Sequence, residues 1–448
     1  MKINDLLEKM NSKVIFSKPS GSLVYFIEDL NSINQEELEN LGIYAVSDGL
    51  ELIDFKVDGF FNISHMYGVE SWVPREFVSL EDFNHHFDYF NSRVTYYGKM
   101  VKWFDLFVDR SIYVDAKVYL EVNGVTVKGE NCYPGYRAIL NGIEYEVVDR
   151  VLLEERINSG ADLTKLCTSL VTDMSILFSG IHGNQTINHP IGNWDVSNVT
   201  DMGLMFEDSI FNHPIGNWDV SKVSKMNSMF SGAEFNQPIG NWDVGNVSDM
   251  NEMFSGAKFN QPIGNWDVGN VSDMYEMFAY SIFNQPIGNW DVSNVTDMRC
   301  MFRESIFNQP IGQWDMSNVT NMWCMFMDSI FNQPIGEWDV SNVTDMSHMF
   351  FRSKFNQPIG NWDVSNVNNM KSMFVEAKFN QPIGQWDVSN VTDMKYMFAE
   401  SKFNQPIGDW DVSNVSDIEG MFFESKFNKS IKNWIINERA KGQSMFNR

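Results

Sequence analysis

Two columns of carboxylates are the first residues here that could do chemistry. Asp follows Trp at a fixed step of 24 residues, from Asp195 to Asp411. A second acidic column runs through Asp201, Asp249, Asp273, Asp297, Asp345, Asp393 and Asp417, interrupted by Lys225, Asn321 and Asn369. Stacked carboxylates repel, so something must offset them. Calcium is one answer, but an oxygen cage needs about six to eight ligands, and the spacing matches no calcium-loop pattern. Backbone N–H groups in Asx turns and at helix starts are the other answer. The expectation is backbone donors and no metal. Paired Met residues, Met202 and Met205 with their equivalents, could offer thioethers to Cu(I). Each pair sits beside a Phe, which reads as core packing. His189 and His213 share a column that holds Gln elsewhere, and two histidines without further ligands read as a surface pair. His85-His86 has no identifiable orienting partner. Cys300 and Cys324 occupy one slot in adjacent repeats. A bridge needs Cα atoms about 4.4–6.8 Å apart, and coils that widen on that side would keep the two thiols free. No G-x-S-x-G, H-E-x-x-H, G-x-x-x-x-G-K or G-x-G-x-x-G is present. No catalytic residue, metal or cofactor is therefore expected, and the reading is non-enzymatic, with an enzyme within 1–111 that uses the repeats as a binding arm as the weaker alternative.

The elements that must position these groups come from the period. Trp recurs every 24 residues from Trp194 to Trp434, and Pro keeps the same register from Pro190 to Pro406. The unit reads W-D-V-S-N-V-T-D-M-x-x-M-F-x-x-S-x-F-N-Q-P-I-G-x. A degenerate unit precedes the first, with Thr172, Asp173, Met174, Leu177 and Phe178 in place. A unit this short cannot bury its own apolar face, so stacked copies must share one core, which is a solenoid. Thr200 reads as a helix N-cap, with Met202, Met205 and Phe206 on one face of a helical turn. The F-N-Q-P-I-G-N-W segment reads as extended, with Phe211, Ile215 and Trp218 inward and Pro214 limiting the ladder. Asn236, Asn246 and their equivalents are expected to bond backbone groups of their own and the neighbouring coil.

At this point the motifs W-D-V-S-N-V-T-D-M-x-x-M-F and F-N-Q-P-I-G resemble the BspA-like leucine-rich repeat family, as does the lead-in YLEVNGVTVK, LNGIEYEVVDR and INSGADLTKLCTSLVTDM. Its members are mostly surface proteins of bacteria and some protists, with related arrays in large viruses. The resemblance implies a leucine-rich-repeat-like solenoid with one short strand and one helical turn per coil. It also implies adhesion or protein–protein interaction at a cell or virion surface.

The rest of the chain fits an α+β N-terminal region. Helices are expected near 3–11, 34–40 and 76–91, and strands near 13–17 and 22–27. Asn123-Gly124 and Asn141-Gly142 each lie between alternating apolar runs and predict hairpins, with a helix near 149–158 leading into the array. The expected organisation is a mixed domain over 1–111, a hairpin-rich junction and cap over 112–165, the solenoid over 166–434, and a C-terminal cap or tail over 435–448. The chain has 448 residues and a net charge of −26. That charge argues against nucleic-acid partners, and no apolar run reaches the length of a membrane span. MKINDLLEKMNSKVIF has no apolar core of a secretory signal, which sets a cytoplasmic scaffold beside surface display as the competing reading.

Core columns barely change along the array, so ligand choice must lie in the variable slots. In the middle coils these turn apolar: Tyr275, Tyr280, Ile282, Ile306, Trp323, Met327, Ile330 and Phe351. The expected partner is a protein or cell-surface ligand, or a second copy of the chain, docking over 275–351. Later coils place Lys354, Lys378, Lys402 and Lys426 beside Glu376, Glu400 and Glu424, which reads as a charge-balanced, solvated face.

Overall fold

A 24-residue coil has too few apolar side chains for a core of its own, so each of its backbone groups and rings must find a partner one coil away. The computed structural model describes residues 115–180, 183 and 186–446, and the backbone of two strands at 13–17 and 23–26. The helices expected near 3–11, 34–40 and 76–91, and His85-His86, lie outside the described residues. The chain divides into two compact units. One is Met1–Tyr119 with Gly129–Glu155; the other is Leu120–Lys128 with Arg156–Arg448.

In the first unit, β1 (Lys13–Ser17) pairs antiparallel with β2 (Leu23–Phe26), with an irregularity between Val14 and Phe16. Strands β3 (Lys117–Leu120) and β4 (Val127–Glu130) form a two-stranded sheet. Strands β5 (Arg137–Leu140) and β6 (Ile143–Val147) pair antiparallel around Asn141-Gly142. Both turn residues have positive φ, 52° and 82°, the geometry of a type I′ hairpin that Asn-Gly favours. Asn123 works differently: its side-chain oxygen accepts the N–H groups of Val125 and Thr126, both at 2.9 Å. Helix α1 (Arg150–Asn158) follows β6, and the Asp149 carboxylate accepts the Leu152 N–H at its start, 2.9 Å, as an N-cap does.

In the second unit, the tip Leu120–Lys128 meets the first coil: the Val127 N–H donates to the Asn193 carbonyl at 2.8 Å and Val127 is buried. The coil from Trp338 to Asn361 shows the pattern of the rest. Trp338, Val340, Val343, Met346, Met349, Phe350, Phe355 and Ile359 are all buried. The extended segment expected from F-N-Q-P-I-G-N-W points Phe211, Ile215 and Trp218 inward, as the apolar spacing implied. From Trp242 to Trp434 each Trp indole N–H then reaches back one coil, as Trp362 does to the Ile335 carbonyl at 3.0 Å, whereas the buried Trp218 N–H has no partner among the described residues.

The expected helical turn is absent. Met349, Phe351 and Ser353 donate their N–H groups three residues back, to Met346, His348 and Phe350. The alternate residues Met346, His348, Phe350 and Arg352 donate instead to the next coil, to Asn369, Lys371, Met373 and Val375. A helix would keep all these donors inside one coil. Splitting them demands a left-handed residue at every fourth position, here His348 (φ 58°) and Arg352 (φ 53°). Thr200 is no N-cap either: its N–H and hydroxyl both reach the Thr172 carbonyl of the preceding coil, at 2.8 and 3.2 Å. The ladder also sits elsewhere than expected. Single-residue parallel bridges run down the second acidic column from Asp173 to Asp417, while the Pro-containing segment is joined by side chains. There the Asn332 amide oxygen takes the Asn356 N–H at 2.8 Å.

The array also runs past the expected boundary. Met445 and Phe446 fall one period after Met421 and Phe422. Phe422 donates its N–H to the Met445 carbonyl at 2.8 Å, and its ring stacks on Phe446 at 5.1 Å.

Replacing Trp362 by Ala, between rings stacked at 6.4 Å on both sides, is expected to remove about 3–5 kcal/mol. Nearest-neighbour coupling confines the damage. Hydrogen exchange should show lost protection across coils 338–386 and unchanged protection near Phe206. Gly288 tests the coil spacing. A Cβ there would lie 2.6 Å from the Pro310 carbonyl oxygen, whereas at Gly256 (φ 65°) nothing comes nearer than 3.8 Å. Gly288→Ala should cost about 1–3 kcal/mol by overpacking, beyond the roughly 1 kcal/mol of left-handed strain at Gly256→Ala. Equal losses in thermal unfolding would show that the backbone approach does not select glycine.

Candidate functional site

One carboxylate oxygen of each Asp in the two columns is held by a backbone N–H of its own turn. In the first acidic column, Asp339 accepts the Ser341 N–H at 3.0 Å, and the same Asx geometry recurs at Asp291, Asp387 and Asp411. The Ser hydroxyls and N–H groups hold these four carboxyls below the usual range. In the second column, Asp345 takes the Ser347 N–H at 2.7 Å, and Asn321 and Asn369 accept in the same way. Backbone donors therefore satisfy these columns, through Asx turns and not through helix caps. Burial, and after it the neighbouring Asp297 and Asp249 carboxylates, raise the Asp273 carboxyl. Among the described residues, no three His, Cys, Asp or Glu side chains are grouped to hold a metal ion. His189 Nδ1 accepts the Leu163 N–H at 3.4 Å, and His213 Nε2 meets the Asn188 carbonyl at 3.0 Å.

The thiols depart from their expected separation. Cys300 and Cys324 are free and buried, yet they are not held apart by widened coils. Cys300 donates its N–H across to Trp323 at 2.9 Å, and Phe302 donates to Met325 at 3.0 Å. Coils are thus hydrogen-bonded on both sides of the thiol slot. Hydrogen bonding with Cys300, together with burial, pushes the Cys324 thiol up.

The variable slots lie on the turn segments. Tyr280, Ile282, Ile306 and Ile330 are 42–45% exposed, and Tyr275, Trp323, Met327 and Phe351 are half-buried. Hydrogen bonds between neighbouring coils bring their slots side by side: Glu304 N–H to Met327 O, and Asp328 N–H to Phe351 O, both 2.7 Å. Three of the aromatic rings already carry a cation. Arg299 lies 5.1 Å from the Tyr275 ring, Arg303 5.1 Å from Tyr280, and Arg352 5.0 Å from Phe351. The Tyr275 hydroxyl is also engaged, donating to Glu276 at 2.8 Å. Among the variable slots of these middle coils, the barest apolar surface is therefore the Ile282–Ile306–Ile330 column, with Trp323 set deeper.

Expected charge balance in the later coils is not what the geometry gives. Glu376 pairs with Arg352 at 2.9 Å, and Glu419 with Lys395 at 2.6 Å. Lys354, Lys378, Lys402 and Lys426 take part in no ion pair among the described residues. The acidic column is two residues away along the coil, and of its members Glu376 takes its cation from Arg352 of the preceding coil.

No helix of the described residues is long and apolar enough to cross a membrane. A family model described as Mycoplasma protein of unknown function, DUF285, matches the chain repeatedly, over 151–258, 211–306, 231–328, 257–353, 280–378, 304–401 and 351–448. No curated protein matches the chain.

Asp273→Asn keeps the Asx acceptor and removes a like charge. Because burial raises the Asp273 carboxyl, its protonated form stabilises the fold. That contribution is full below the ordinary carboxylate range and lost as pH rises through the folded value. The Asp291 column has the opposite sign: its contribution is present above the ordinary range and lost as pH falls through the depressed value. The substitution should gain roughly 0.5 kcal/mol near neutral pH after allowing for screening, and nothing below the ordinary carboxylate range, where Asp273 itself is protonated. Denaturant midpoints at the two pH values would decide it. An equal gain at both would show that charge is not the cause.

Proposed function

We propose, from the premise that this chain belongs to the family described as Mycoplasma protein of unknown function, DUF285, that its array is a non-enzymatic module for protein interaction. The carrying observation is the exposed Ile282–Ile306–Ile330 column on otherwise polar turns. The repeated columns carry the same side chains in almost every coil and are bonded to the backbone of their own turns, so discrimination between ligands falls to the variable slots. An aliphatic patch rimmed by polar groups is the signature of a contact site. Tyr280, Trp323, Met327 and Phe351 extend that patch, and Tyr275 lies at its edge with its ring and hydroxyl already engaged.

The likeness of the motifs to BspA-like leucine-rich repeats favours a finer reading, adhesion to a protein or cell-surface ligand with the N-terminal region as anchor. An intracellular scaffold, or self-association through the same patch, uses the identical surface. Ile306→Ser with Ile330→Ser should weaken capture of a partner, or association of a second copy, by about tenfold or more, with an unchanged circular dichroism spectrum. Trp323→Ala should add to the loss. Light scattering for oligomeric state and affinity capture from the native source are the readouts; if neither moves, the interaction surface lies elsewhere.

A further inference from the structure

The isoleucine column does not stop at Ile330. At the same slot, one period apart, it continues as Lys354, Lys378, Lys402 and Lys426, all exposed. The backbone holds the column in line: Lys354 donates its N–H to Ser329 at 3.0 Å, Lys378 to Ser353 at 3.1 Å, and Lys426 to Ser401 at 3.2 Å. The next residue in each coil is a buried Phe, and those rings step by 6.2–6.3 Å from Phe355 to Phe427. Four ammonium groups thus stand one coil apart with no carboxylate partner. Their mutual repulsion is visible at Lys378, whose ammonium Lys402 and Lys354 push below its usual range. The fold does not require lysine here, since the same slot holds Glu234 and Ile210 in earlier coils. In a chain with 59 acidic and 33 basic residues, a line of unpaired cations runs against the average charge.

We propose that the column from Ile282 to Lys426 is one continuous track for an extended peptide whose alternate residues are aliphatic at one end and acidic at the other. A strand advances about 3.2–3.4 Å per residue, so its same-face side chains recur about every 6.6 Å. That is close to the coil step, and the lysine stems absorb the residual mismatch. Seven slots then read about 13 residues of strand. A nucleic-acid backbone fits less well: Glu376, Glu400 and Glu424 run beside the lysines and would oppose closely spaced phosphates. A peptide can place its carboxylates on the lysines and neutral residues between them. The apolar half rests on the interaction reading above; the lysine half stands on the unpaired charges.

The probe is a fluorescent peptide of about 13 residues, with Val at the first three odd positions, Glu at the remaining odd positions and Ser between. Anisotropy on the full chain should show saturable binding that weakens between about 50 and about 300 mM salt. Lys378→Glu with Lys402→Glu, a residue the slot already accepts at Glu234, should cut affinity about tenfold or more and flatten the salt dependence. Ile306→Ser should cut affinity while leaving the salt dependence intact. If the peptide does not bind, or binds equally to the charge-reversed chain, the track is overturned. Ile306→Ser then decides separately whether the interaction reading survives. Preferential binding of an oligonucleotide or of phosphatidylserine vesicles would equally overturn the peptide assignment.

Discussion

Everything in the array follows from one constraint: each coil must lie a single hydrogen bond from the next along its turn segment. Donors at alternate residues, such as Met346, His348, Phe350 and Arg352, reach the following coil, and this fixes the spacing. The rest adapts to it. Phe rings in the Phe206 column step by 5.5–6.0 Å and Trp rings by 6.4–6.5 Å, distances at which parallel aromatics stack. At the opposite edge, glycine is needed because the Pro carbonyl of the next coil occupies the place of a Cβ. Where the backbone cannot donate, Asn and Gln side chains carry the connection, as from Gln357 to the Asn332 carbonyl at 3.1 Å. Stability in such a stack is a sum of neighbour terms, so a defect in one coil is felt mainly by the two beside it.

How much of this was legible depends on whether a pattern has one physical solution. The inward residues were legible, because an apolar column repeated at a fixed period can only be core. Asn141-Gly142 was legible, because positive φ at two consecutive turn residues suits few other pairs. The strands expected near 13–17 and 22–27 lie at 13–17 and 23–26, on short apolar runs. The turn segment was not legible. Met202, Met205 and Phe206 satisfy the i, i+3, i+4 spacing of a helix. They equally satisfy successive turns that alternate their donors, and the left-handed residues carry no glycine signature: Leu204 and Asp208 have φ of 59° and 51°. Reading a helix there also led to the expectation of widened coils, and with it of separated thiols. The last half-coil was hidden for another reason. Its Met-Phe pair lacks the flanking consensus, and only the period from Phe422 to Phe446 marks it.

The candidate surface was legible in part. Composition by column singled out the apolar slots, but sequence gives no depth. Ile282, Ile306 and Ile330 stand out from the coil, while Trp323 is half sunk and Tyr275, Tyr280 and Phe351 sit against arginines. Adjacent lysine and glutamate columns looked balanced along the chain. In space no lysine of that column pairs with a glutamate among the described residues, and Glu376 answers to Arg352 one coil away, because neighbours in a solenoid are set by the coil step as much as by the sequence.

Left-handed slots connect this architecture to recognition. A non-glycine residue there costs roughly 1–2 kcal/mol, and glycine would relieve it. Yet the array uses glycine in these slots only at Gly232, Gly256 and Gly420 among the described residues, and elsewhere sets Tyr280, Cys300, Cys324, His348, Arg352 and several glutamates there. The hydrogen bonds to the next coil hold the conformation whatever the residue, so the strain is tolerated and does not select glycine. That freedom lets a rigid ladder carry a different side chain in every coil. The core columns can then stay constant while charge, aromaticity and aliphatic surface change from one coil to the next.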